Sequence, residues 1–371
     1  MVQSVIEAQL PHLWDGGWQP ADLDRSVQRA LGGVEVSITR SAMAVDAVSY
    51  ESLGARVAPE WMGQLADVDA TRWWSTSQPY MLQIEASWPS VIASAVRLMD
   101  LLVHLPRLPI LTPPPSQWSH DMAATFAESN ASSGLLAKVR ALLAKAESTP
   151  FDAEAEALTA KAQSLMARHR IDHAVLHASV PSGGEQPAGR RITIDDPYAE
   201  AKAALLDGIA NANGGHAVWG KGLGFSTVFA FPDELLGIEA LFTSLLVQST
   251  AALQREGSKV DGGGHSRTTR FRRSFLVAFA VRIGNRLAEA VAMSVTEAEA
   301  ATRLDGGDAA ALVPILADRD DAARAAAAEA FPHSGTYRPS ATDREGWFAG
   351  TAFGDLADVG RGDALDRRTA S

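Results

Sequence analysis

The chain has 371 residues, 46% hydrophobic and 21% charged. That balance suits two or three globular domains and excludes collagen-like, coiled-coil and disulfide-rich classes. With 44 acidic against 33 basic residues the net charge is −11, which makes a poor general coat for nucleic acid. Cysteine is absent, which removes thiol catalysis, Cys-ligated zinc and iron–sulfur clusters. Met1–Trp14 has no basic start and carries Glu7, and no segment reaches the ~18 uninterrupted apolar residues of a membrane span. The expected location is cytoplasmic, without a membrane partner.

In chain order, residues 1–115 predict a helical, tryptophan-rich domain. Trp14-Asp-Gly-Gly-Trp-Gln-Pro is a turn between two helices. Pro20 suits the first position of the second, and Leu23, Val27 and Leu31 follow at helical spacing. Trp14, Trp18, Trp61, Trp73 and Trp74 are expected to anchor its core. A proline-rich exit after Leu111 and a small, polar stretch at 128–134 end the domain.

Residues 133–177 predict a helical hairpin. Leu136, Val139, Leu143 and Ala146 form one apolar face. Thr149, Pro150 and Asp152 read as the cap of a second helix, whose apolar face is Ala155, Leu158, Ala162, Leu165 and His169. Glu154 and Glu156 complement the dipole at its start, and Arg168, His169 and Arg170 at its end. Leu136-Ala-Lys138-Val-Arg-Ala-Leu-Leu-Ala-Lys-Ala-Glu-Ser-Thr, then Glu154-Ala, then Lys161-Ala-Gln163-Ser-Leu-Met-Ala-Arg-His resembles the bacterial and phage family called domain of unknown function 2786. Lys138, Glu154, Lys161 and Gln163 carry the motif. The turn from Gly17, the stretches from Gly224 and Phe271, and Gly346-Trp347 also resemble longer actinobacterial members. The resemblance implies no catalytic residue. Family members often place His or Asn where this chain has Ala153, so a role for such a residue does not carry over.

After a break at 179–190, residues 190–360 predict an α+β domain with a small β-sheet. Arg191–Ile194 reads as a strand and Pro197–Asn213 as a helix, with Asp195 and Asp196 as its caps. His216–Trp219 and Phe225–Phe231 alternate as two strands around a glycine-rich loop. Helices follow at Asp233–Arg255, from about Thr269, within Ala309–Ala330 and near Asp343–Val359. Phe271, Phe275, Phe279, Ile283 and Leu287 make the second of these central. Gly346, Gly350 and Gly354 recur every fourth residue, a stripe for close helix approach. Residues 361–371 read as a loose tail. The predicted class is α+β, mainly α.

One cluster points to chemistry. His265, Ser266, Arg267, Arg270, Arg272 and Arg273 follow a glycine run and lead into a helix. Guanidinium forks and free N–H groups at a helix start suit a phosphate, nucleotide or nucleic-acid backbone. The competing account is a solvated loop paired with the protein's many carboxylates. His169, His173 and His177 fall at i, i+4 and i+8, which a continuous helix could offer to a metal. However, Arg170–Asp172 reads as a helix end, so no metal site is assigned. Arg282 and Arg286 need partners if buried, such as Glu289 or a ligand. The expectation is therefore a binding or interaction protein with an anion site at 265–273, whose partner is a phosphorylated ligand or nucleic acid. The alternatives are an enzyme, such as a metal-assisted hydrolase, and a subunit whose hairpin docks a protein partner. No cofactor is named.

Overall fold

The computed structural model describes residues 2–50, 58–75, 77–118, 133–149, 151–178, 185–304, 309–335 and 339–356. Pro150, the side chains of Asp152, Ala153, Glu156 and His177, and the tail 361–371 lie outside the described residues. The chain divides into two compact units, 1–131 and 132–371.

The first unit holds α1 (Val2–Asp15), α2 (Pro20–Ala30), α3 (Gly33–Val48), α4 (Pro59–Asp67) and α5 (Trp88–His104). Pro20 opens α2 as expected, because its missing N–H is one that a helix start leaves unbonded anyway. The tryptophans divide: Trp14, Trp18 and Trp61 are buried, whereas Trp73 is half exposed. Trp118 belongs to the same core, so this unit reaches past residue 115. Trp14, Trp61, Trp118 and Tyr50 form a chain of edge-to-face contacts at 5.1–5.8 Å. Asp46 is its polar anchor. Trp14 Nε1 donates to Asp46 Oδ2 at 2.8 Å, and the Tyr50 hydroxyl donates to the same oxygen. Burial, with Asp46 beside it, pushes the Tyr50 hydroxyl far above its ordinary range. Asp46→Ala leaves two buried donors unmet and is expected to destabilise this unit by about 2 kcal/mol. The urea midpoint of tryptophan fluorescence checks it.

The second unit contains α6 (Ser133–Ser148), α7 (Asp152–Ala178), β1 (Ala188–Thr193), α8 (Ala199–Ala212), β2 (His216–Gly220), β3 (Phe225–Ala230), α9 (Pro232–Glu256), α10 (Thr268–Leu304), α11 (Leu312–Ala330) and α12 (Arg344–Leu356). The fold is α+β and mainly α, with one antiparallel sheet in the order β1-β3-β2 among the described residues. Every residue of the middle strand β3 is buried, because helices cover both faces. Ile192, Val228 and Ala230 enter the main core, while Phe229 meets Phe331 beyond α11. The N-cap position of α8 is Tyr198 rather than Asp195 or Asp196, in the left-handed region at φ 68° and with no side-chain cap bond of its own.

α10 is the central element. Phe271, Phe275, Phe279, Ile283 and Leu287 are all buried. It crosses α8 where Gly208 faces Gly284, and α12 where Gly346 and Gly350 lie against the carbonyls of Phe271 and Phe275. The glycine stripe is thus a close helix contact. Arg282 pairs with Asp355, and Arg286 donates to the carbonyls of Gly354 and Asp355 at 2.6 and 2.7 Å, so the expected partner Glu289 is replaced by α12. α9 is the one described helix long and apolar enough to cross a membrane. Its buried face carries Glu234, Ser244, Gln248 and Ser249, and it sits in the core of this unit.

Candidate functional site

The hairpin is not separate from the C-terminal region. Val139 and Leu143 of α6 and Ala162 and Met166 of α7 share one core with residues of β1, α8, β3, α9 and α10. Its face is therefore covered by its own chain. At the turn, the N-cap is Phe151, whose carbonyl accepts from the N–H groups of Glu154 and Ala155. The regular helix thus starts after Phe151, while Thr149 Oγ1 still accepts from the Phe151 N–H at 3.3 Å, a capping bond to the turn that leads in. Thr149 also donates through Oγ1 to Glu154 Oε2 at 2.7 Å, and Lys145 Nζ lies 3.1 Å from Oε1. The Thr149 bond first, then Lys145, holds the Glu154 carboxyl below its ordinary value.

α7 does not end near Arg170 but continues to Ala178. Its buried residues are Thr159, Ala162, Gln163, Met166, Ala167, Arg170, Ile171 and Ala174. This stripe is rotated from the expected Ala155, Leu158, Ala162, Leu165 and His169. Two polar residues cause the shift, because partners await them inside. Gln163 Nε2 donates to Asn213 Oδ1 at 2.9 Å. Lys138 and Lys161 point to solvent.

Arg170, Glu234 and Arg319 are 8%, 7% and 8% exposed and meet at the junction of α7, α9 and α11. Glu234 Oε1 accepts from Arg170 Nε at 3.2 Å and Arg319 Nη2 at 3.3 Å, while its Oε2 accepts from the Phe231 N–H at 3.1 Å. Arg170 Nη2 also donates to Asp320. Arg319 lies 3.5 Å over the Phe231 ring, and its Nε is buried with no hydrogen-bond partner among the described residues. Burial pushes the Glu234 carboxyl above its ordinary value despite both guanidiniums. Beside this cluster, His173 Nε2 is 3.1 Å from Asp233 Oδ2 and Nδ1 is 3.6 Å from Glu185 Oε2. His169 stacks on His173 at 5.5 Å.

These groups line an open cleft. Leu135, Leu136, Val139 and Met166 make its apolar wall, and Leu236 and Gly237 its rim on α9. His169, Arg170, His173, Asn213, Asp233, Glu234 and Arg319 supply the polar lining. The two histidines do share a continuous helix. Even so, no group of three or more His, Asp or Glu with metal-holding geometry occurs among the described residues.

The other arginine cluster is arranged differently. Arg267 Nη1 donates to both oxygens of Asp343 at 3.0 and 2.8 Å, and its Nη2 to Glu345. Arg273 Nη2 donates to Glu200 Oε2 at 3.0 Å. His265 is 84% exposed beside Asp261, Ser266 and Arg270 are exposed, and Arg272 is half-buried. The protein's own carboxylates therefore account for Arg267 and Arg273. Sequence reasoning missed Arg319, Glu234 and Asp320, and placed Arg170 at a helix end. One signal was available: Arg170 lies in phase with Gln163, Ala167 and Ala174.

Residues 134–173 match the family model described as "Protein of unknown function (DUF2786)". The chain contains a DUF2786 segment. No curated protein and no solved structure matches the chain. The DUF2786 match spans α6 and most of α7, including Arg170 and His173, so the segment supplies one side of the cleft.

Proposed function

We propose that the second unit is a small-molecule-binding module whose site is the cleft under the DUF2786 hairpin. The observation that carries this is the convergence of buried polar groups beneath an apolar wall, the usual composition of a ligand pocket. The binding role read from the sequence is kept, but its site moves. Arg267 and Arg273 already face carboxylates; Arg272 and Arg319 each keep a buried Nε without a partner among the described residues, and of the two only Arg319 lines the cleft. Native mass spectrometry of the full chain, compared before and after denaturation, tests the proposal. Extra mass that is lost on denaturation is expected, reduced in Leu136→Trp, which fills the mouth, and unchanged in Arg270→Ala. A bare chain that also binds none of a panel of small acids, amides and amines overturns it.

A second account, an enzyme, is favoured by one observation: the His173–Asp233 pair at 3.1 Å lines the same cleft. A carboxylate that orients a histidine is the arrangement of a general base. Hydrolysis of small p-nitrophenyl esters by the wild type, absent in His173→Gln, is the expected result on that account.

A further inference from the structure

We infer that the ligand is a small monocarboxylate with an apolar body, a refinement that rests on the cleft being a binding site. The carboxylates that line it are already engaged, while Glu185, which is not part of the lining, keeps a buried Oε2 with no hydrogen-bond partner among the described residues. Glu234 takes three donors, two at Oε1 and one at Oε2, and Asp233 faces His173. A cationic or donor-rich ligand would find these acceptors occupied.

The donors are not all engaged. Arg319 Nε is buried without an acceptor among the described residues. Stacking on Phe231 fixes the guanidinium plane, so that edge is already ordered before a ligand arrives. A buried, unmet guanidinium N–H is costly, and a carboxylate oxygen is the partner that relieves it most. A low charge is favoured. Asp233 and Glu234 line the cleft, Asp320 pairs with Arg170, and Glu185 Oε2 lies 3.9 Å from Arg319 Nη2. This excess of carboxylates opposes a phosphate dianion about twice as strongly as a monoanion. The apolar body follows from the wall of Leu135, Leu136, Val139 and Met166.

Calorimetric titration of the full chain with hexanoate, hexanamide and hexylamine tests this. The three share one tail and differ in the charge of the head group. Hexanoate is expected to bind at least about tenfold more tightly than either of the others, the margin of one charge-assisted hydrogen bond. Arg319→Gln should remove that margin by weakening hexanoate more than hexanamide, and Leu136→Trp should weaken all three. Because the ranking is read on the wild type, a variant that fails to fold does not decide the outcome. Hexylamine or hexanamide binding as tightly as hexanoate overturns the carboxylate inference and leaves the cleft standing. If none binds while the native spectrum carries a ligand without a carboxyl group, the inference falls alone. If none binds and the chain is bare, it falls together with the cleft.

Discussion

Gly350→Ala is expected to detach α12 from the core helix and destabilise the second unit by about 3 kcal/mol, the upper end for overpacking. The added Cβ would lie inside the radius of the Phe275 carbonyl oxygen, and backbone in the middle of α10 has little room to yield. Gly346 meets the Phe271 carbonyl in the same way. Gly354 is the comparison: its nearest neighbours are Cβ and Cγ of Arg282, at 2.8 and 2.9 Å, a looser contact than a Cβ at Gly350 would make with the Phe275 carbonyl oxygen. Gly354→Ala should therefore be milder. Displacing α12 also separates Phe353 from Phe275 and Phe279, which it meets at 5.8 and 5.5 Å. Urea unfolding of the three variants gives the ranking. Equal and small losses at Gly350 and Gly354 would refute a close backbone contact there.

Glu234→Ala is expected to cost about 4 kcal/mol, because it removes the acceptor that two buried guanidiniums share. Glu234→Gln should lose less, since an amide oxygen still accepts from both arginines. The two variants also separate charge from geometry through pH. Burial raises the Glu234 carboxyl above its ordinary value, outweighing Arg170 and Arg319. The folded state thus holds that proton more firmly than the unfolded state. Its contribution is fully present below the unfolded carboxylate range and is lost as pH rises through the raised folded value. Glu35 in the first unit runs the other way. Burial pushes its carboxyl up, but its own backbone N–H, Arg97 and Ser94 outweigh that and hold it low. Its stabilisation is present above the unfolded range and fades as pH falls through the lowered value. Unfolding free energy measured against pH should lose the Glu234 contribution in Glu234→Gln, while the Glu35 contribution stays as in the wild type.

Elements set by local periodicity were legible in the chain. The five-residue apolar stripe of α10, the two alternating strands and the glycine repeat of α12 each state their geometry within a few turns or residues. The hairpin was legible as a hairpin but not as part of a larger core, because its covering residues lie far along the chain. The cleft was hidden for the same reason. Arg170 meets Glu234 across 64 residues and Asp320 across 150, and no local rule links such positions. Hydrophobic spacing also mistook the face of α7, since it cannot count Gln163 and Arg170 as interior. At 265–273 composition suggested a ligand where folding brings Asp343, Glu345 and Glu200 instead.

The shared core of the hairpin has a consequence for synthesis. α6 and α7 are joined by three residues, so they can pair as soon as they emerge. The core that this apolar face joins is completed only by residues as distant as Leu287. About 109 residues separate Ala178 from Leu287. At roughly 5–20 residues per second, that core waits roughly five to twenty-two seconds on the ribosome before it is complete. For that interval the nascent chain displays Val139, Leu143, Ala162 and Met166 to whatever holds apolar surfaces apart in the cell.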